Sequence, residues 1–437
     1  MKAVLARYFQ FSENNTSFRQ ETIAGVTTFL TMVYIIFVNP SVLAAAGMDH
    51  GAVFVATCLV VVVGSFLMGL LSRFPIALAP AMALNVYFTY IIVQDIGLSW
   101  QDALGAVFFA SVIFLIITLT KLREWIVVAI PESLNAAITV GLGLFIALIA
   151  LKSAGIVVPN SKTLMALGHL DLRALFFCLG FFLIVVLDYY QVPGAILIGI
   201  LVVTLVGLAA ELSEFHGIFS LPPSLTPTFL QMSFVQLDNL KGIAAIFSIL
   251  FVNLFDCTGT LVGLIQHARI IEKDRSVVRV SRGLLANSMT SVFGALLGTS
   301  SPSPYLESAA GIRAGGRTGF TAWVVGILFL FSLFLSPLAA TIPDFATAPA
   351  LLFVACLMIR NVVEIPWDDI TESIPGALTA IMIPYTLSIA NGIGLGIISY
   401  TMIKLIGRKI HELNATLIVL ALLFVFYFIM QATVVNL

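Results

Sequence analysis

Two carboxylates, Asp256 and Glu307, lie inside otherwise apolar stretches of this 437-residue chain, NLFDCTGTLVG (253–263) and GTSSPSPYLESAAG (298–311). An ionised acid is costly at membrane depth, so it faces protein or a water-filled cavity there and marks a candidate functional site. Thr258 and Thr260 follow Asp256, Ser303 precedes Glu307, and Asn85 occupies a third such stretch, LAPAMALNVYF (78–88). Acids only accept hydrogen bonds, hydroxyls do both, and an amide offers one end of each kind. Together they suit a polar ligand carrying N–H donors and lone-pair acceptors. Either acid could also carry a proton, because a carboxyl that moves between dry and hydrated surroundings changes its proton affinity. For Thr258 and Thr260 the competing reading is plain helix packing.

Other chemistry is not expected. Cys58, Cys178, Cys257 and Cys356 lie in or beside hydrophobic runs without Cys-x-x-Cys spacing, and the five histidines fall in expected loops or segment ends. Neither a disulfide framework nor a zinc site is indicated, and no nucleophile–base pair points to an enzyme. No cofactor is expected beyond a coupling ion, with the proton favoured over sodium.

These residues must be held by membrane-spanning elements. The chain is 60% hydrophobic and 10% charged, with a mean hydropathy of +1.09. A soluble domain carries about 25% charged residues, so this composition requires a lipid bilayer. The net charge of −1 leaves no basic face for nucleic acid. A span needs roughly 20 apolar residues. Full-length candidates are 22–42, 51–71, 102–120, 131–151, 171–189, 193–211, 241–264, 282–298, 318–342 and 346–360, with 414–435 at the end. The run 374–406 is interrupted at Asn391-Gly392, giving fifteen segments if broken there and fourteen if merely kinked. Two further segments, 76–94 and 298–312, are too short or broken to cross as plain helices.

Lysine and arginine set the orientation. Arg7, Arg19, Arg73, Lys121, Arg123, Arg269, Lys273, Arg275, Arg279, Arg282, Arg313 and Arg317 all fall on one side if both broken segments cross. That side is the cytoplasm, with the N-terminus inside. The loop carrying Lys152, Lys162 and Arg173 is an exception with no physical account. Glu364, Asp368, Asp369 and Glu372, beside Trp367, read as an interfacial amphipathic stretch.

The chain also repeats itself weakly. FVNP (37–40) and FVNLFD (251–256) occupy matching places, and the two broken segments are the third element of each half. Seven elements separate the halves, and an odd number inverts them. Paired interrupted segments in inverted halves point to a transporter's binding site. In 298–312, Pro302 and Pro304 force an extended stretch, with a half-helix expected from Pro304, Ser303 as its cap and Glu307 in its first turn. In 76–94, Pro75 and Pro80 bracket a second extended stretch, and Asn85 falls early in a half-helix over 80–94. The two stretches can pair, so that both half-helix starts meet and present free N–H groups near the midplane.

At these residues the chain resembles the nucleobase–ascorbate transporter (nucleobase–cation symporter-2) family, in its adenine–guanine–hypoxanthine permease branch. The likeness is densest in 21–48, LAPAMALNVYFTY (78–90), LFDCTGTLVG (254–263) and 298–322. It implies an all-α polytopic fold of about fourteen segments in two inverted sevens. A core domain (1–130 and 241–342) would carry the substrate, moving against a gate domain (131–212 and 343–437) that forms a homodimer interface. It further implies a nucleobase held between the third, eighth and tenth segments by Asn85, Asp256 and Glu307. The chain departs from this branch at Ala81–Leu84, at Val86 and at Pro302-Ser303-Pro304, positions in the expected binding walls. The expected function is proton-coupled purine uptake across the cytoplasmic (inner) membrane. Uracil or xanthine symport, or an anion transporter on the same fold, are the alternatives.

Overall fold

The computed structural model describes residues 2–120, 131–160, 164–268, 276–386 and 388–435. Lys121, Arg123, Lys162, Arg269, Lys273 and Arg275 of the orientation argument lie outside the described residues. Among the described residues, eight helices are long and apolar enough to cross a membrane, and shorter apolar helices such as Ala195–Ala209 accompany them. The chain is a multi-pass membrane protein.

The chain divides into two compact units, 1–119 with 150–353, and 120–149 with 354–437. Residues 150–212 fall within the first unit. Their helices Leu172–Tyr189 and Ala195–Ala209 pack on each other, and Phe177 joins Ala154 and Ala348 in one buried cluster.

In the first unit both broken segments form as strand plus half-helix. Leu78–Pro80 pairs antiparallel with Pro302–Pro304, in the register Leu78 to Pro304, Ala79 to Ser303 and Pro80 to Pro302. The Tyr305 N–H donates to the Ala77 carbonyl (3.0 Å) and that of Ala81 to Ser301 (3.1 Å), so the odd-numbered positions carry the ladder. Bonded and non-bonded pairs alternate along an antiparallel ladder. Pro80, Pro302 and Pro304 therefore all fall on non-bonded positions, where a missing N–H costs nothing. This is why three prolines are tolerated in so short a pairing.

Helix follows the first strand almost at once, α-helical over Met82–Val86 and wider over Tyr87–Asp95. The second half-helix differs from expectation. It starts at Ser308 and ends at Arg313, because the ladder continues through Tyr305 and keeps the chain extended past Pro304. Glu307, not Ser303, is its N-cap residue, and Glu307 makes no side-chain cap bond. This half-helix beds against Phe18–Met32, where a Cβ on Gly311 would lie 2.0 Å from Thr28 Oγ1 and 2.6 Å from the Ala24 carbonyl. Gly315, at φ +104°, turns the chain away.

Two of the basic positions, Arg73 and Arg279, meet in this unit. Tyr8 Oη donates to the Leu70 carbonyl (2.6 Å), and the Arg73 guanidinium lies 4.8 Å from the Tyr8 ring centroid. Arg279 donates to the carbonyls of Ser72 (3.0 Å) and Arg73 (2.9 Å). Nearby, Glu21 is fully buried and accepts four hydrogen bonds, from Thr16 Oγ1, Thr321 Oγ1 and the backbone N–H groups of Arg317 and Thr318.

In the second unit, the run expected to break at Asn391-Gly392 instead ends one helix at Thr386 and starts another at Ile389. Ser388 supplies the N-cap by accepting from Asn391 N (3.3 Å). The two helices close into a hairpin tight enough that a Cβ on Gly396 would lie 1.8 Å from Thr379 Oγ1. The hairpin brings Lys404 onto Glu372, and the fully buried ammonium is shared with Glu412. Lys409 pairs with Asp369 at 2.6 Å. Glu372 and Asp369 are thus ion-pair partners rather than members of a plain interfacial stretch.

Candidate functional site

The site is built where the long helix Leu240–Ala268 packs against the Pro302–Pro304 strand and the Ser308–Arg313 half-helix. Asp256 is carried mid-helix, and Ser303, on a bonded position of the ladder, places its hydroxyl within hydrogen-bonding reach of the Asp256 carboxylate. Glu307 follows four residues later. Its Oε1 accepts a 2.6 Å hydrogen bond from Tyr34 Oη, and Tyr34 sits at the break between the helices Phe18–Met32 and Ile35–Ala44. Both carboxylates are half-buried, so each keeps part of its surface open.

Tyr305 stands between them. Its hydroxyl donates to the Pro80 carbonyl at 3.1 Å, its ring is buried, and it lies in the field of both Asp256 and Glu307. Tyr34 and Tyr305 are themselves within hydrogen-bonding reach. Two acids, two phenols and a serine therefore converge on the strand crossover from three segments distant in sequence.

An unbroken helix separates the two threonines beside Asp256. At about 100° per residue, Thr260 returns to the Asp256 face one turn on, whereas Thr258 projects about 160° away from it. Thr258 is buried, with an unpaired hydroxyl among the described residues, and Thr260 is half-buried. Thr260 is brought to the acid; Thr258 is not.

Asn85 is fully buried, and its side chain is engaged at both ends. Its Nδ2 donates to Asn39 Oδ1, and its Oδ1 accepts from Ser300 Oγ. Asn39 in turn donates to Thr57 Oγ1 (2.7 Å) and Thr299 Oγ1 (3.1 Å). Asn85 is thus the knot tying the first half-helix to the chain entering the second strand. The expected free N–H groups at the second half-helix are also engaged: those of Ser308, Ala309 and Ala310 donate to the carbonyls of Tyr305, Leu306 and Glu307.

Tyr34, Tyr305, Asn39 and Ser300 escape the sequence reading. Tyr34 meets Glu307 across 273 positions, and Ser300 meets Asn85 across 215. The one local signal was the repeated FVN, which marks Asn39 and Asn253 alike. Among the described residues no group of three or more His, Cys, Asp or Glu is placed to hold a metal ion.

The sequence profile of the Permease family matches residues 19–395. The chain is 44% identical to the adenine permease AdeP of Escherichia coli (strain K12), over 97% of this chain and 96% of that protein. It is 47% identical to a putative permease of Methanocaldococcus jannaschii, over 97% of this chain and 98% of that one. With the guanine/hypoxanthine permease PbuG of Bacillus subtilis (strain 168) the identity is 40%, over 97% and 99%. Among solved structures, the transmembrane domain of the cyanobacterial bicarbonate transporter BicA superposes with a TM-score of 0.66 at 17% identity, over 86% of this chain and 97% of that one. SLC26A9 gives 0.67 at 12% identity, over 92% and 68%. The shared fold is that of two inverted seven-segment halves.

Proposed function

The chain belongs to the nucleobase–ascorbate transporter family, whose members are permeases rather than enzymes, and from that premise we propose that it carries purine nucleobases across the cytoplasmic membrane. Adenine, guanine and hypoxanthine are the candidate substrates. The observation that carries this reading is the convergence of half-buried Asp256 and Glu307 on the strand crossover. A purine presents a planar edge of N–H donors and ring-nitrogen acceptors. The carboxylates accept the donors, and the Thr260 hydroxyl answers an acceptor, while the Tyr34, Tyr305 and Ser303 hydroxyls give their single protons to Glu307, Pro80 and Asp256 and so hold the acids in place. A mismatched base leaves a buried partner unpaired, at about 1–3 kcal/mol each. Asn85 acts on this site by holding the two broken segments in register, and Thr258 contributes through packing.

Transport is coupled to protons, with Asp256 as the carrier, and the site is exposed to the two faces of the membrane in turn. The N-terminus is cytoplasmic, and the protein works as a homodimer. Two acids at the crossover disfavour the anion-transporter reading, since an anion site needs cationic or neutral walls.

The test is uptake of radiolabelled adenine, guanine and hypoxanthine, with xanthine and uracil as competitors, in cells lacking their own purine uptake. Asp256→Asn and Glu307→Gln abolish uptake while membrane insertion persists. An uncoupler stops accumulation. Uptake surviving either substitution, or accumulation sustained by a sodium gradient, defeats the corresponding part of the reading.

A further inference from the structure

Beside Asp256, on two packed helices, two asparagines lie in the protein interior. Asn253 lies on Leu240–Ala268 and Asn287 on Ser276–Leu297, and both are fully buried. These helices run antiparallel. Leu261 Cδ2 would sit 3.0 Å from a Cβ on Gly283, and two turns along Asn253 Nδ2 reaches Ser291 Oγ over a long 3.4 Å. Midway between those contacts, Asn287 faces Cys257, the neighbour of Asp256. Asn253, three residues before Asp256, is its neighbour on the helix surface.

Asn253 Oδ1 and both polar ends of Asn287 have no hydrogen-bond partner among the described residues. Buried polar groups are ordinarily satisfied by protein or by ordered water. Here the unpaired set includes both a donor and acceptors, so an occupant must donate and accept. A cation would satisfy the oxygens and leave the Asn287 N–H groups repelled; water serves both kinds.

We propose that Asn253 and Asn287 line an internal hydrated pocket adjoining Asp256, through which that carboxylate exchanges its proton. The second half of the statement rests on the proton-coupled reading above; the pocket itself does not. A bound base covers the open side of Asp256, and the pocket keeps a water contact beside it. The titratable groups that face Asp256 are Tyr305, Glu307 beyond it, and Cys257. The charged groups of the packed helices bond or point elsewhere: Asp102 to Ser99 and Val235, Arg279 to the 72–73 backbone, while Arg282 is exposed.

Two measurements test it on the whole protein. Hydroxyl radicals generated by X-ray pulses arise from water, so a buried thiol is labelled quickly only where water sits beside it. Cys257 labels several-fold faster than the equally buried Cys58, and Asn287→Leu brings it down to the Cys58 rate. Equal rates in the wild type overturn the pocket, whatever the protein transports. In proteoliposomes, Asn287→Leu lowers net proton-driven uptake roughly tenfold, a modest share of what a proton relay contributes, yet leaves base exchange at equal concentrations unchanged. Asn287→Ala, which leaves space for water, keeps both. Unchanged net uptake in Asn287→Leu, or net uptake and exchange falling together, overturns the proton route. Absence of purine exchange in the wild type defeats the proposed substrate while the labelling result stands.

Discussion

Tyr34 donates a 2.6 Å hydrogen bond to Glu307 Oε1, joining the break in the first span to the cap of the tenth segment's half-helix. Glu307 makes no cap bond of its own, so this phenol orients its carboxylate. Tyr34→Phe keeps the ring and removes the donor. A hydrogen bond to a charged group is worth about 1.5–3 kcal/mol, so KM for uptake rises roughly tenfold or more. Uptake kinetics at fixed pH check this, with surface expression as the control.

Glu21 is a fully buried acid held by two backbone N–H groups and two threonine hydroxyls. Glu21→Ala strands all four donors and costs on the order of 3 kcal/mol of stability. Glu21→Gln keeps one acceptor and turns an N–H toward donors, so its loss is intermediate. Thermal unfolding of the detergent-solubilised protein ranks the three.

Asn85 knots Asn39 to Ser300 in the dry interior. If it works by positioning, Asn85→Ala lowers stability by about 2 kcal/mol, from the partners it leaves unpaired. Ser300→Ala removes a single donor and costs less. Both variants retain the order of preference among purines, read from competition panels. A changed order would make Asn85 a ligand of the base.

At the end of the second unit's hairpin, the Lys409 ammonium and the Thr371 hydroxyl hold the Asp369 carboxyl below its ordinary range. A carboxyl depressed on folding contributes stability above its unfolded pKa of about 3.9 and loses that contribution as pH falls through the folded value. The melting difference between wild type and Asp369→Asn is therefore small, constant from pH 5 to 8, and gone in strong acid. The pair is partly exposed and screened, so salt shrinks the difference too.

Much of the architecture was legible because lipid and proline leave local marks. Apolar runs gave the spans, and Pro80, Pro302 and Pro304 announced the two extended stretches that pair. The half-helix expected from Pro304 starts instead at Ser308, because a proline is equally at home at a helix start and at a non-bonded ladder position. Only the partner strand decides between them. Asp256 and Glu307 could be found by their cost in lipid. Tyr34, Tyr305, Asn39 and Ser300 carry no such cost, and their partners lie in distant segments. Thr258 was grouped with Thr260 by composition, whereas the helical angle separates them.

The prolines at the crossover have a mechanical consequence. Each one locks a backbone torsion near −65°, and three of the six paired residues are so locked. A seam this stiff has little freedom to shear or to slip its alignment. Displacement of one half-helix is then handed on to the other, and Asp256's neighbour Ser303 travels with Glu307 as one piece.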